Sequence, residues 1–162
     1  MKLKILNISL ITFTIICISC TNNHTTLKDV KILSKNDKIF FEKNSKPYNG
    51  KLFDFYENGS PKMKMDIKNG FKSGDVYQYF ENGNIETISF FKNGFIEGEF
   101  RAYYMDGSLN QISHFDNNKK HGSQEEFYSY GEIKSCANFF QGSKIGKSFE
   151  FFESGGIAIY NN

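Results

Sequence analysis

The sequence predicts an all-β protein: an open, elongated, single-layer antiparallel meander of hairpins that repeat every 24 residues. Three observations carry this expectation. Glycines stand at 50, 74, 98, 122 and 146, and again at 59, 83, 107, 131 and 155, two series in phase. Five and six residues after each glycine of the first series come two aromatic residues, from Phe55-Tyr56 to Phe151-Phe152. Asn-Gly or a relative recurs between runs that alternate apolar and polar residues, the strongest short-range hairpin signal.

Aligned on the first glycine, the units begin GKLFDFYENG, GDVYQYFENG, GEFRAYYMDG, GSQEEFYSYG and GKSFEFFESG. Each reads as strand, two-residue turn, strand, turn. The turn glycines are Gly59, Gly83, Gly107, Gly131 and Gly155, and a second Asn-Gly or its relic closes the unit, as at Asn69-Gly70 and Asn93-Gly94. The glycines are read as serving turns, the Asn-Gly and Asp-Gly pairs as type I′ turns, which need positive φ at both central residues. Five units, the last truncated, then fill residues 50–162 with ten strands. With Asn58-Gly59 as the loop, Tyr56 falls opposite Pro61, Asp54 opposite Met63 and Leu52 opposite Met65.

Alternation then divides the side chains between two faces. A first, drier face collects Leu52, Tyr56, Val76, Phe80, Ile85, Phe91, Phe100, Tyr104, Leu109, Phe115, Tyr128, Ile133 and Phe139. The second carries Phe53, Phe55, Tyr77, Tyr79, Ile88, Phe90, Tyr103, Phe127 and Phe151 among Lys62, Lys64, Glu86, Arg101 and Lys134. Equivalent residues of neighbouring units fall about 9.6 Å apart, so aromatic stacking through cross-strand neighbours is the expected source of packing energy. The final strand, Ile157 to Tyr160, is an edge open to pairing with a second copy as a homodimer.

The start of the chain reads differently. Lys2 and Lys4 precede an apolar run from Ile5 to Ile18, the layout of a secretory signal too short for a membrane span. The segment CISC at 17–20 resembles a bacterial lipobox, with Cys17 where Leu is commoner. That similarity implies a signal peptide over 1–19, lipid attachment at Cys20, a membrane anchor and residence in the cell envelope. The alternative is ordinary signal cleavage with Cys20 left as a thiol; the polar TNNHTT that follows suits a tether over 20–29. Residues 30–49 are read as capping strands, Val30 to Leu33 and Lys38 to Phe41 around SKND.

Removing residues 1–19 removes two lysines and no acids, so the net charge falls from +2 to zero. A neutral chain argues against nucleic acid, whose binding rests on cationic contacts to phosphate. Cys136 is then the one cysteine besides Cys20, so no internal disulfide forms, and it is read as a small buried hydrophobe.

No catalytic constellation emerges. His114 lies on a strand and His121 in the loop opening the fourth unit, without a Cys/His/Asp cluster of metal spacing, and both are read as surface imidazoles. Glu57, Glu81 and Glu153 recur at one turn position, about 9.6 Å apart, near the wide end of inverting glycosidase carboxylates. Solvated turns offer no means of separating their pKa values. No enzymatic activity, cofactor or metal is expected.

Residues 47–160, through the G-x-x-x-x-aromatic-aromatic-x-N-G units, the KNG ends at 68–70 and 92–94 and KPYNG before the first unit, resemble the MORN-repeat variant of YwqK-type toxin-antitoxin antitoxins. That family often carries Trp two residues after the first glycine, where this chain has Leu52, Val76, Phe100, Gln124 and Ser148. The resemblance implies neutralising a partner toxin by binding; with the lipobox, it implies an immunity or partner-binding role at the envelope. The residues themselves point to Phe55, Tyr77, Tyr79, Tyr103, Phe127 and Phe151 as the surface for a protein partner, since exposed aromatics suit protein recognition. The competing reading is a structural spacer, or a glycan- or peptidoglycan-binding module whose aromatic stripes stack on sugar rings.

Overall fold

A computed structural model describes residues 25–26, 30–33, 38–41 and 46–161. The expected signal peptide and the lipid-bearing Cys20 lie outside the described residues. Thirteen strands and no helix are present among those described. They are β1 (Thr25–Thr26), β2 (Val30–Leu33), β3 (Lys38–Phe41), β4 (Gly50–Phe55), β5 (Pro61–Lys68), β6 (Phe71–Tyr79) and β7 (Ile85–Lys92). After these come β8 (Phe95–Tyr103), β9 (Leu109–Asp116), β10 (Lys119–Phe127), β11 (Ile133–Phe140), β12 (Ser143–Phe151) and β13 (Ile157–Asn161).

The ten strands β4 to β13 form one open sheet in which each pairs antiparallel with the next. This is the meander the 24-residue period predicts. β1 adds to its outer edge in parallel, Thr25 opposite Leu52, while β2 and β3 form a separate antiparallel hairpin.

Two kinds of turn alternate, and only one is the expected kind. At Asn69-Gly70 both residues have positive φ, 52° and 80°, the two-residue type I′ turn. Asn93-Gly94, Asn117-Asn118 and Gln141-Gly142 repeat it. At Asn58-Gly59 only the glycine is left-handed, φ 83°. There the Gly59 N–H donates to the Tyr56 carbonyl (3.0 Å) and the Tyr56 N–H to the Ser60 carbonyl (2.9 Å). That is a three-residue loop, a type I turn followed by a glycine bulge. The same bond pair recurs at Phe80, Tyr104, Tyr128 and Phe152.

The longer loop shifts the register. Leu52 faces Met65 and Asp54 faces Met63, as the alternation predicts, but Phe55, not Tyr56, faces Pro61. The slip falls before the first aromatic of the pair in every hairpin: Gln78/Tyr79, Ala102/Tyr103, Glu126/Phe127 and Glu150/Phe151.

From Gly74 onward the first glycine series serves bulges rather than turns, whereas Gly50 opens β4 in regular pairing with Ile67. Gly74 sits inside β6, with φ 88°. Around it the pairing jumps from Met65↔Val76 to Ile67↔Lys72, so three residues of β6 oppose Asp66 alone. A jump of two residues keeps the alternation in phase, and the side chains stay on their faces. Gly98, Gly122 and Gly146 occupy the same place in β8, β10 and β12.

Burial is concentrated at one end of the first face. Leu52, Met65, Ile67 and Val76 are buried together with Ile39 of β3 and Tyr48, and Met63 and Phe91 pack against them. The Ile39 N–H donates to the Gly70 carbonyl (2.7 Å) and the Tyr48 N–H to the Ile39 carbonyl (3.0 Å), which ties β3 to the first type I′ turn. Farther along the first face the fully covered positions are serines, Ser113 and Ser148, rather than apolar side chains. Ile133, expected on this face, stands opposite Phe127 of the second face because of the register slip. The ring pairs run mainly along strands, Phe53–Phe55 at 6.3 Å and Tyr77–Tyr79 at 6.4 Å, with Phe100–Phe115 crossing from β8 to β9. A distinct bond also links successive units: the Tyr56, Tyr104 and Tyr128 hydroxyls donate to the carbonyls of Tyr79, Phe127 and Phe151 at 2.6–2.8 Å.

Candidate functional site

The second face is ordered by its register. Across β4 to β12 the directly paired positions run Phe53, Lys64, Tyr77, Ile88, Arg101, Ile112, Glu125, Cys136 and Phe149. Apolar and charged side chains therefore interleave along one row. Lys64 places its ammonium 5.8 Å from the Tyr77 ring centre, a cation–π approach between neighbouring strands.

At the middle of this face lies a shallow depression of about 620 Å³. Ile88 and Phe90 supply its apolar part, and Asp75, Lys92, Glu97 and Arg101 lie around them. Phe90 is 44% exposed and stands opposite Asp75. Asp75 accepts a 3.4 Å hydrogen bond from the Tyr77 hydroxyl, and its negative charge pushes the Tyr77 pKa up. Arg101 Nε donates to Glu99 at 2.5 Å, an exposed ion pair whose hydrogen bond raises the guanidinium pKa. An apolar patch with cations and carboxylates around it can receive a mixed protein surface.

The six aromatics proposed from sequence are placed in two groups. Tyr77 stands opposite Ile88 of the depression and stacks along its strand on Tyr79, whereas Phe55, Tyr79, Tyr103, Phe127 and Phe151 line the sheet margin next to the three-residue loops. Phe55 is exposed, and the others are half-buried. Periodicity misses Phe90, Asp75 and Arg101 as site residues, because the depression belongs to one pair of units and has no counterpart to recur. The visible signal was Phe90-Phe91, two adjacent aromatics that must face opposite sides of the sheet.

Other candidates resolve locally. Glu57, Glu81 and Glu153 are exposed turn residues. His121 lies within β10, not in a loop, and its ring is 5.2 Å from Phe140. His114 Nδ1 lies 3.1 Å from the Ser123 carbonyl oxygen; both imidazoles are half-buried rather than on the open surface. Cys136 is half-buried, because its row belongs to the wetter face. Among the described residues no group of three His, Cys, Asp or Glu side chains is placed to hold a metal ion.

A single-layer all-β repeat sheet with one face of interleaved apolar and charged side chains is the class these features define. In keeping with it, residues 48–69, 72–93 and 96–117 match the family described as MORN repeat variant, in three tandem segments. The fourth and fifth units, with Tyr130 and Ser154 in place of the Asn, lie beyond those segments. A solved structure titled "Glycosylation Associate Protein (Gap123) complex from Streptococcus agalactiae" is 22% identical, with a TM-score of 0.37, over 60% of this chain and 18% of that one. No curated protein matches the chain.

Proposed function

We propose that this chain is a non-enzymatic binding module whose second face engages a protein partner, in an immunity-like role at the bacterial cell envelope. MORN-type repeats support the coarser part, a repeat-built binding module. The observation that carries the finer part is the depression around Ile88 and Phe90, with Arg101 paired to Glu99 and Tyr77 opposite Ile88. Aromatic and arginine side chains around an apolar centre are the residues that dominate protein interfaces. The envelope assignment rests on the lipobox-like CISC and the polar segment after it.

Affinity capture from envelope extracts tests this reading when wild-type chain is run beside Phe90→Ser and Arg101→Ala. The expected result is one reproducible protein retained by wild type and lost from both variants. Retention that is indifferent to both substitutions contradicts the assigned face. Palmitate labelling of wild type but not Cys20→Ala checks the anchor separately.

A further inference from the structure

A row on the first face changes chemistry along the array. Its paired positions run Leu52, Met65, Val76, Ser89, Phe100, Ser113, Gln124 and Ala137, and Ser148 follows on β12. At the start these residues are apolar and covered; at the far end they are polar or small. Ser148 is only 4% exposed, yet its Oγ has no hydrogen-bond partner. Leaving a buried hydroxyl unpaired is destabilising, and the equivalent positions of the first two units hold Leu52 and Val76. An orphan hydroxyl at a place where the same fold accepts an aliphatic side chain asks for a ligand.

Ser148 lines a cleft made of two adjoining depressions, of about 150 and 320 Å³, which share Glu126, Ser135 and Glu150. Ser135 is paired with Glu126 on one side and Glu150 on the other, so these three form a row across β10, β11 and β12. Gln124 Nε2 donates to Glu126 at 2.8 Å, which orients that carboxylate. Rings flank the polar row: Phe139 at one depression, Tyr128 and Phe152 at the other. The charges balance, with Glu126 and Glu150 against Lys134 and Lys144. A ligand carrying net charge of either sign therefore gains little. A neutral ligand rich in hydroxyls is matched by carboxylate acceptors, hydroxyls that serve in both senses, and ring faces for its C–H surface.

We propose that the first-face cleft of the fourth and fifth units is a carbohydrate site, in which Glu126 and Glu150 accept hydrogen bonds from sugar hydroxyls and a further hydroxyl donates to Ser148 Oγ. This site is on the opposite face from the depression at Phe90 and stands or falls independently of the protein-partner reading.

Titration of the full chain with cellobiose and with N,N′-diacetylchitobiose, followed by amide NMR, tests it. One of the two disaccharides shifts the amides of Gln124, Glu126, Ser135, Ser148 and Glu150 in a saturable way. Ser148→Val weakens that binding about tenfold while raising the thermal midpoint, because it removes both a ligand contact and an orphan hydroxyl. Glu150→Gln, which keeps shape and most packing, weakens binding without lowering the midpoint. The proposal is overturned if neither disaccharide moves these amides, if Ser148→Val leaves the affinity unchanged, or if it lowers the midpoint.

Discussion

The phenolic oxygen of Tyr104 donates a hydrogen bond to the backbone carbonyl of Phe127, 2.7 Å away and one unit farther along the array. Tyr56 and Tyr128 make the same bond to Tyr79 and Phe151. Each ties one three-residue loop to the start of the next, at a margin where the sheet's own ladder is interrupted by the register slip.

Removing this tie has a defined effect. Tyr104→Phe keeps the ring and loses the hydroxyl, leaving the Phe127 carbonyl without its partner, and lowers unfolding stability by about 1 kcal/mol. The second unit has Phe80 at the same position and no hydroxyl to offer. Phe80→Tyr supplies one toward the Tyr103 carbonyl and raises stability by a similar amount. Urea unfolding of the two variants gives both signs in one experiment; a Phe80→Tyr variant no more stable than wild type removes the tie from the account.

The bulge glycines yield a prediction about backbone alone. A Cβ built on Gly74 meets nothing within 4 Å, so space is available and only its φ of 88° resists substitution. Gly74→Ala therefore costs about 1–2 kcal/mol, the left-handed penalty of an L-residue, with no change in packing. Gly74→Asn costs less, since Asn tolerates that region. Equal losses for Ala and Asn in thermal unfolding point to a steric cause and contradict this reading.

The fourth type I′ turn is built from Gln141 and Gly142, with Gln141 held at φ 50°. The equivalent turns use Asn69 and Asn93 there. Gln141→Asn restores the favoured dipeptide and stabilises by roughly 0.5 kcal/mol, although it gives up the exposed contact from Gln141 Nε2 to Asp116. A lowered unfolding midpoint shows that the side-chain contact outweighs the turn.

Architecture was legible in the sequence because it is periodic. Two glycine series, paired aromatics and Asn-Gly dipeptides each report a local backbone requirement, and all repeat in phase. What escaped was the division of labour among the glycines. Gly59 and Gly70 both follow Asn, yet Asn58 stays out of the left-handed region while Asn69 enters it. The dipeptide alone does not count loop residues; that depends on how Tyr56 and Ser60 close across the turn. Leu52↔Met65 was legible for the opposite reason, since apolar burial selects it. The candidate site was the least legible part. The depression at Phe90 and the cleft at Ser148 arise where units differ from one another, and a repeat alignment emphasises what they share.

The central claim is that each hairpin is stabilised by its neighbours, and that the array is anchored at one end by Leu52, Met65, Ile67 and Val76 beneath Ile39 and Tyr48. Residue-resolved amide hydrogen exchange under native conditions tests this most directly. Protection greatest in β4 to β6 and falling unit by unit toward β13 is the predicted result. Uniform protection along the sheet, or a maximum in β10 to β12, contradicts it.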